Sequence, residues 1–257
     1  MLTGAVIEPE LTYRYVTGIE NFSRFIRFDE NDTLTNTNEI EYGVTQRLYR
    51  KTAAGQAEEF LSWTIAQKHY FDPTFGGAIV PGTRNVFQAL NSITPFAFAD
   101  GPRSWSPVVS DLKFTPGGRY DAEFLLDYDT QKNKLTTIGS LIKVRPYREL
   151  FATLAHYRVG SDPALQPLSN QIRALVGYGQ LNRKGFNASA GFSYDITRQF
   201  LQNQIAQVSY NGGCCGIALE YRRLALVPIR TENQFRIALT IANLGTFGNL
   251  RREEKIF

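Results

Sequence analysis

Two cysteines, two histidines and one methionine are all that the 257 residues contain of those types. No apolar run approaches the roughly 18 residues of a transmembrane helix. His69 and His156 fall on separate segments, without metal-ligand spacing or a carboxylate motif beside them, so each reads as a strand residue and no metal or cofactor is expected. Gly-x-Ser-x-Gly elbows, P-loops and dinucleotide fingerprints are missing too, and with them support for enzymatic chemistry. Charge is mild: 28 Lys and Arg stand against 24 Asp and Glu, a net of +4. The basic residues are scattered, not clustered, so no nucleic-acid partner is expected. Residues Met1 to Pro9 carry neither a positive n-region nor an apolar run long enough for a secretory signal. Export is expected to be supplied otherwise, or the chain to be part of a longer protein. Linkers, low-complexity tracts and repeats beyond the hairpin are likewise lacking.

Rings are what the chain has in quantity. Aromatic residues make up 13%, with 18 Phe and 13 Tyr, residues that suit pleated, half-buried surfaces and membrane interfaces. A mean hydropathy of −0.25 would ordinarily indicate solubility. A membrane barrel escapes that inference, because only every second residue of its strands meets lipid.

Read with a period of two, segment after segment has one apolar side. Tyr120, Ala122, Phe124, Leu126 and Tyr128 share a face, opposite Asp121, Glu123, Asp127 and Asp129, with Leu125 the exception. Ala188, Ala190, Phe192, Tyr194 and Ile196 oppose Asn187, Ser189, Gly191, Ser193 and Asp195. Ile217, Leu219 and Tyr221 oppose Glu220 and Arg222; Phe235, Ile237, Leu239 and Ile241 oppose Arg236, Ala238, Thr240 and Ala242. Weaker versions run over 11–19, 40–48, 61–71, 108–114, 136–144, 147–157, 172–178 and 202–210. About twelve strands result, many near the 9 to 11 residues that cross a bilayer at a tilt.

Connections alternate in length, as in outer-membrane barrels with short periplasmic turns and longer outer loops. The short set is 51–57, 116–118, 145–146, 181–184 and 211–213; the other set holds 22–36, 72–106, 159–169 and 226–233, with 129–133 and 197–200 as its short members. The Pro- and Gly-rich stretch 72–106 reads as an irregular excursion. The predicted fold is therefore an all-β, antiparallel transmembrane β-barrel of about twelve strands, one domain over residues 1–257, with strands from about 10 to 243 and a periplasmic tail over 244–257. The row Asp121, Glu123, Asp127, with Glu220 and Arg222, is predicted to line a polar lumen and not a carboxylate active site.

Cys214 and Cys215 stand side by side at the Asn211-Gly212-Gly213 turn. Neighbouring α-carbons lie about 3.8 Å apart, below the usual bridging separation of roughly 4.4 to 6.8 Å, so a bond between the two would be strained. Two readings stand. Each thiol bonds a partner outside these residues, in an oxidising compartment such as the bacterial periplasm, or both are free thiols on a buried strand.

The segment Asn211-Gly-Gly-Cys-Cys-Gly-Ile-Ala-Leu-Glu-Tyr-Arg-Arg223, followed by Phe235-Arg-Ile-Ala-Leu-Thr-Ile-Ala-Asn-Leu-Gly-Thr-Phe-Gly248, resembles the C-terminal end of the LptD family, LPS-assembly outer-membrane proteins also described as organic solvent tolerance proteins. Asn38 to Tyr49 resembles that family's Gly-Val-Thr-x-Arg strand, Ser62 to Phe71 its Gly-Gln-x-Tyr-Tyr-Phe strand, and Ser110-Asp111-Leu112 with Asp127-Tyr128-Asp129-Thr130 its Ser-Asp-Leu and Tyr-Asp-Thr pair. The resemblance runs from about residue 10 to 248.

What it implies is a part of a larger barrel, of about 26 strands in the family, near the upper part of the bacterial range. It implies lipopolysaccharide as substrate, a plug lipoprotein of the LptE kind, a periplasmic Lpt bridge met through the N-terminal region, and the outer membrane of a Gram-negative bacterium as location. Lipopolysaccharide would leave through a seam between first and last strands. The last strand would be Gln234, Phe235, Arg236, Ile237, Ala238, Leu239, Thr240, Ile241, Ala242 and Asn243, and Cys214 and Cys215 would bond to cysteines of the N-terminal region. That region and roughly half of the family's barrel have no counterpart here, so the missing half, or a second copy, is expected to be needed to pair the exposed edges. A general outer-membrane porin is the second reading, which explains the alternation but not the cysteines. A soluble β-sandwich binding module is the third; it requires the same Phe, Ile and Leu side chains to be buried against a second layer.

Overall fold

The computed structural model describes residues 2–18, 36–52, 54–72, 103–160, 169–179, 184–226, 230–241 and 245–247. Within them the chain is all strand and turn: β1 (Leu2–Val16), β2 (Thr37–Lys51), β3 (Ala57–Tyr70), β4 (Val108–Phe114), β5 (Tyr120–Asp129), β6 (Lys134–Val144), β7 (Leu150–Val159), β8 (Ser169–Tyr178), β9 (Gly185–Asp195), β10 (Phe200–Asn211), β11 (Cys215–Leu226), β12 (Arg230–Ile241) and β13 (Gly245–Phe247). Strand order follows chain order from β1 to β13. Among the described residues β1 pairs with β2 alone and β13 with β12 alone, so the sheet is not closed. A hairpin ladder of this kind needs only local turns, and β4 to β12 alternate strands of 7 to 12 residues with short connections.

The first strand differs from the expected 11–19. Alternation continues backwards through Pro9, Ile7 and Ala5, and β1 begins at Leu2. Pro9 supplies no N–H and so looks like a boundary in sequence; on a strand with one described neighbour the missing donor is tolerated. The segment after residue 243, expected as a tail, opens instead with β13, which folds back on Leu239–Ile241. Twelve long strands are thus followed by a short thirteenth. The predicted loops 22–36, 72–106, 159–169 and 181–184 lie mostly outside the described residues; the predicted loop 226–233 is shorter than expected, because β11 runs to Leu226 and β12 already begins at Arg230.

Two compact units divide the chain. The first comprises Met1–Thr115, Glu123–Ser140 and Arg158–Ser169. Its β1, β2, β3 and β4 are antiparallel in continuous register, with Thr12 opposite Glu41, Glu41 opposite Lys68, and Thr64 opposite Asp111. One shift, at Leu48/Tyr49, interrupts the β2–β3 ladder. Glu10, Glu41, Lys68, Thr64 and Asp111 therefore share one face, and Leu11, Tyr42, Ile65 and Leu112 the other.

The second unit comprises Pro116–Ala122, Leu141–Tyr157 and Asn170–Phe257. Rows run across β8 to β12, such as Val176, Ala190, Ala206, Tyr221 and Phe235 on the apolar face. Its glycines are shaped by neighbours: a Cβ at Gly177 would lie 2.3 Å from Cζ of Phe151 on β7, whose ring covers the gap that the missing side chain leaves.

Burial is inverted relative to a water-soluble fold. Among the described residues seven apolar side chains are buried, against fourteen polar or charged ones. Asp127 is 1% exposed, whereas Phe235 is 79%, Leu11 71% and Ile237 63% exposed. The third reading, a β-sandwich, required those apolar side chains to be packed away, and they are not.

Candidate functional site

The polar face of the first unit is built from charges that neutralise one another. Lys68 sits on β3 directly opposite Glu41 of β2. Its Nζ lies 3.0 Å from Glu39 Oε1 and 3.5 Å from Glu41 Oε2, with only 3% of the side chain exposed. Thr37 donates its hydroxyl to Glu39 Oε2 at 2.9 Å, and Arg14 of β1 approaches the same carboxylate at 3.9 Å. Alternation places Arg14, Glu39 and Lys68 on one face; antiparallel register then stacks them in a row. Buried ions are tolerated only when paired in this way.

A second buried pair joins Arg103 to Asp129, Nη2 to Oδ2 at 2.9 Å. Asp129 Oδ1 also accepts the backbone N–H groups of Gln131 and Lys132 at 2.9 and 3.1 Å, so one carboxylate holds both a turn and a guanidinium. Residues 104–106 are stitched to β3: Tyr70 N donates to Ser104 O at 2.8 Å, Ser106 N to Lys68 O at 3.0 Å, and Lys68 N to Ser106 Oγ at 2.8 Å.

Of the residues expected in a lumen, Asp127 is buried, with Thr136 Oγ1 donating to its backbone oxygen at 3.3 Å. Glu123 is drawn 3.3 Å from Lys113 Nζ, which also meets Asp111 at 2.8 Å. Asp121 is half-buried at the start of β5. In the second unit Glu220, buried, lies 3.3 Å from Arg222 Nε and 3.7 Å from Arg236 Nη1. Arg236 in turn donates to Gln234 Oε1 at 2.9 Å. Two ion clusters result, one around Lys113 and one around Glu220. Neither presents a nucleophile beside a base, and no group of His, Cys, Asp and Glu among the described residues suits a metal.

Missed in the sequence were Lys68, Glu39 and the Arg103–Asp129 pair. Alternation put Lys68 and Glu41 on faces of their own strands; only the register, set by the bulge and the β2–β3 turn, makes those faces the same one.

In the second unit Gly213, at φ 97°, closes the β10–β11 turn. Its N–H donates to Asn211 Oδ1, and Gly212 N donates to Cys215 O, both at 2.9 Å. Positive φ suits glycine because no Cβ opposes it. Cys214 and Cys215 follow, both exposed and not bonded to each other.

β12 pairs with β11 along its whole length. On its other edge β13 covers Leu239, Thr240 and Ile241, and from Arg230 to Ala238 that edge has no strand partner among the described residues. Phe235, Ile237, Leu239 and Ile241 are exposed, Ala238 is buried, and Ala242 and Asn243 lie outside the described residues.

No curated protein matches the chain. The family model LptD, LPS transport system D, matches residues 5–184, more than half of the chain, in a span that ends before the cysteine turn and β12. That family serves lipopolysaccharide transport and assembly at the outer membrane of Gram-negative bacteria. The chain belongs to the LptD family.

Proposed function

We propose, on the premise of that membership, that these strands form the wall past which lipopolysaccharide is inserted into the outer leaflet. Inverted burial is the observation that carries the reading: side chains such as Ile237 and Phe235 are exposed while Asp127 and Glu220 are buried. In a bilayer the first set meets hydrocarbon and the second a wet interior, and the ladders between neighbouring strands pair the backbone groups away from the two open edges, as hydrocarbon without water demands. Acyl chains would pass on the apolar side, and the phosphorylated sugar along the face of Asp121, Glu123, Asp127, Glu220 and Arg222.

The seam would be the edge of β12 that β13 leaves unpaired. Cys214 and Cys215 would bond to cysteines of a periplasmic region that receives lipopolysaccharide from the Lpt bridge, and a plug lipoprotein of the LptE kind would occupy the interior. No cofactor enters this transport.

A photoreactive side chain placed in turn at positions 235, 237 and 239 in lipopolysaccharide-producing cells tests the reading. Adducts with lipopolysaccharide at these β12 positions, and none at Phe124 of β5, are expected. Free passage of small sugars with no adduct on β12 would instead favour a general porin.

A further inference from the structure

On the apolar face of the second unit a shallow hollow of about 640 Å³ opens over β8 to β11, lined by Ala174, Ala190, Phe192, Gln204, Ala206 and Tyr221. Register explains it. Ala190 lies opposite Ala206 and Ala206 opposite Tyr221, while Ala174 lies opposite Phe192. Three alanines thus meet where the same face elsewhere carries Tyr178, Phe186, Val208 and Leu219, and the ridge of large side chains is interrupted. Along β10 the hollow runs from Leu201 to Ala206, about 16 Å at the usual rise of a strand. That is the shape of a fatty-acyl chain and not of a compact headgroup.

One cation stands at its edge. Gln204 lies opposite Arg223, which shares the apolar face with Tyr221, is exposed, and has no ion-pair or side-chain hydrogen-bond partner among the described residues. Tyr221 between them is fixed: its hydroxyl donates to Asn233 Oδ1 at 3.1 Å, and its ring lies 5.0 Å from that of Phe235. A guanidinium beside hydrocarbon requires an anion, and its planar fork matches phosphate.

We propose that this hollow seats an acyl chain of a lipid whose anionic phosphate head is held by Arg223. The site rests on the membrane reading above, because an outward apolar face draws its occupant from the bilayer. It would keep a lipid standing against the wall one to four strands from β12 and its free edge, so that the boundary lipid there is selected by its head as well as its chains.

The chain is inserted into vesicles of equal parts dimyristoyl phosphatidylglycerol and dimyristoyl phosphatidylcholine, extracted in mild detergent, and its retained lipid identified by native mass spectrometry. Retained phosphatidylglycerol is expected to exceed phosphatidylcholine by about fivefold, the worth of one Arg at an anionic surface. R223Q is expected to erase that preference while lipid is still retained. A206F, which fills the hollow from the outward side, is expected to lose both lipids while keeping its heat-modifiable gel mobility; A190L serves the same purpose should A206F not fold. Equal retention of the two lipids by the native chain, or a preference that survives R223Q, overturns the proposal. A chain that enters vesicles but retains neither lipid overturns the hollow alone; a chain that stays out of vesicles, both alone and when folded together with the upstream part of an LptD-family barrel, overturns the membrane reading and the hollow with it.

Discussion

Lys68 faces Glu41 across the β2–β3 ladder, yet its ammonium lies closer to Glu39, at 3.0 Å against 3.5 Å. One cation therefore serves two carboxylates at once, on a face where only 3% of the lysine side chain is open to solvent. Removing it leaves two acidic groups side by side without their shared counter-charge. K68M is expected to cost roughly 3 to 5 kcal/mol, the range for breaking a buried pair, read as a fall in the urea midpoint in lipid vesicles. The double variant K68M/E39Q should recover part of the loss, because the uncompensated charge is gone; no recovery would mean that the pair does not carry the stability.

Asp129 is expected to be far more sensitive than Asp121. D129A breaks the Arg103 pair and two turn hydrogen bonds together, a loss of about 3 to 5 kcal/mol. D121A, at a half-buried site at the start of β5, should cost about 1 kcal/mol or less. Equal effects in the same unfolding measurement would contradict the burial-based ranking.

The strands themselves were legible because alternation is a property of sequence alone: Tyr120 to Tyr128 and Phe235 to Ile241 show their two faces without any neighbour. Pairing was not. Whether Lys68 meets Glu39 depends on the Leu48/Tyr49 shift, and whether Phe192 meets Gln204 or a residue beside it follows from how the shift at Leu201/Asn203 fits the β9–β10 turn, both caused by one extra residue that composition does not betray. β13 was missed because three residues are too few to show a period, and the early start of β1 because Pro9 imitates a break. The ion clusters were invisible for the same reason as the pairing, since a row of charges forms only when several strands are in register.

Arginine at position 237 should distinguish the two faces of β12. I237R is expected to cost about 2 to 4 kcal/mol if that position lies near the bilayer midplane. Q234R, on the opposite face, gives up the acceptor of Arg236 and faces Arg222 across the β11–β12 ladder, and should cost about 1 kcal/mol. The check is folding into vesicles at graded urea, followed by heat-modifiable mobility; similar costs for both would remove the distinction between faces.

Both thiols are exposed and unbonded within this chain. A maleimide of large mass is expected to add twice to the chain produced alone. Produced in the periplasm together with the upstream region of the LptD family, the chain should resist labelling until reduced, and C214S or C215S should each admit one label after reduction. Free labelling before reduction would leave the cysteines as ordinary surface thiols.

Spin labels placed one at a time along β9 and β12, in a C214S/C215S background inserted into vesicles, decide most directly which face meets lipid. Labels at positions 190, 192, 237 and 239 should relax faster with dissolved oxygen, which concentrates in hydrocarbon, and those at 191, 193, 236 and 238 with a water-soluble nickel chelate. A profile without that two-residue alternation, or one in which positions 237 and 239 are shielded from both reagents, would contradict the outward placement of the apolar face.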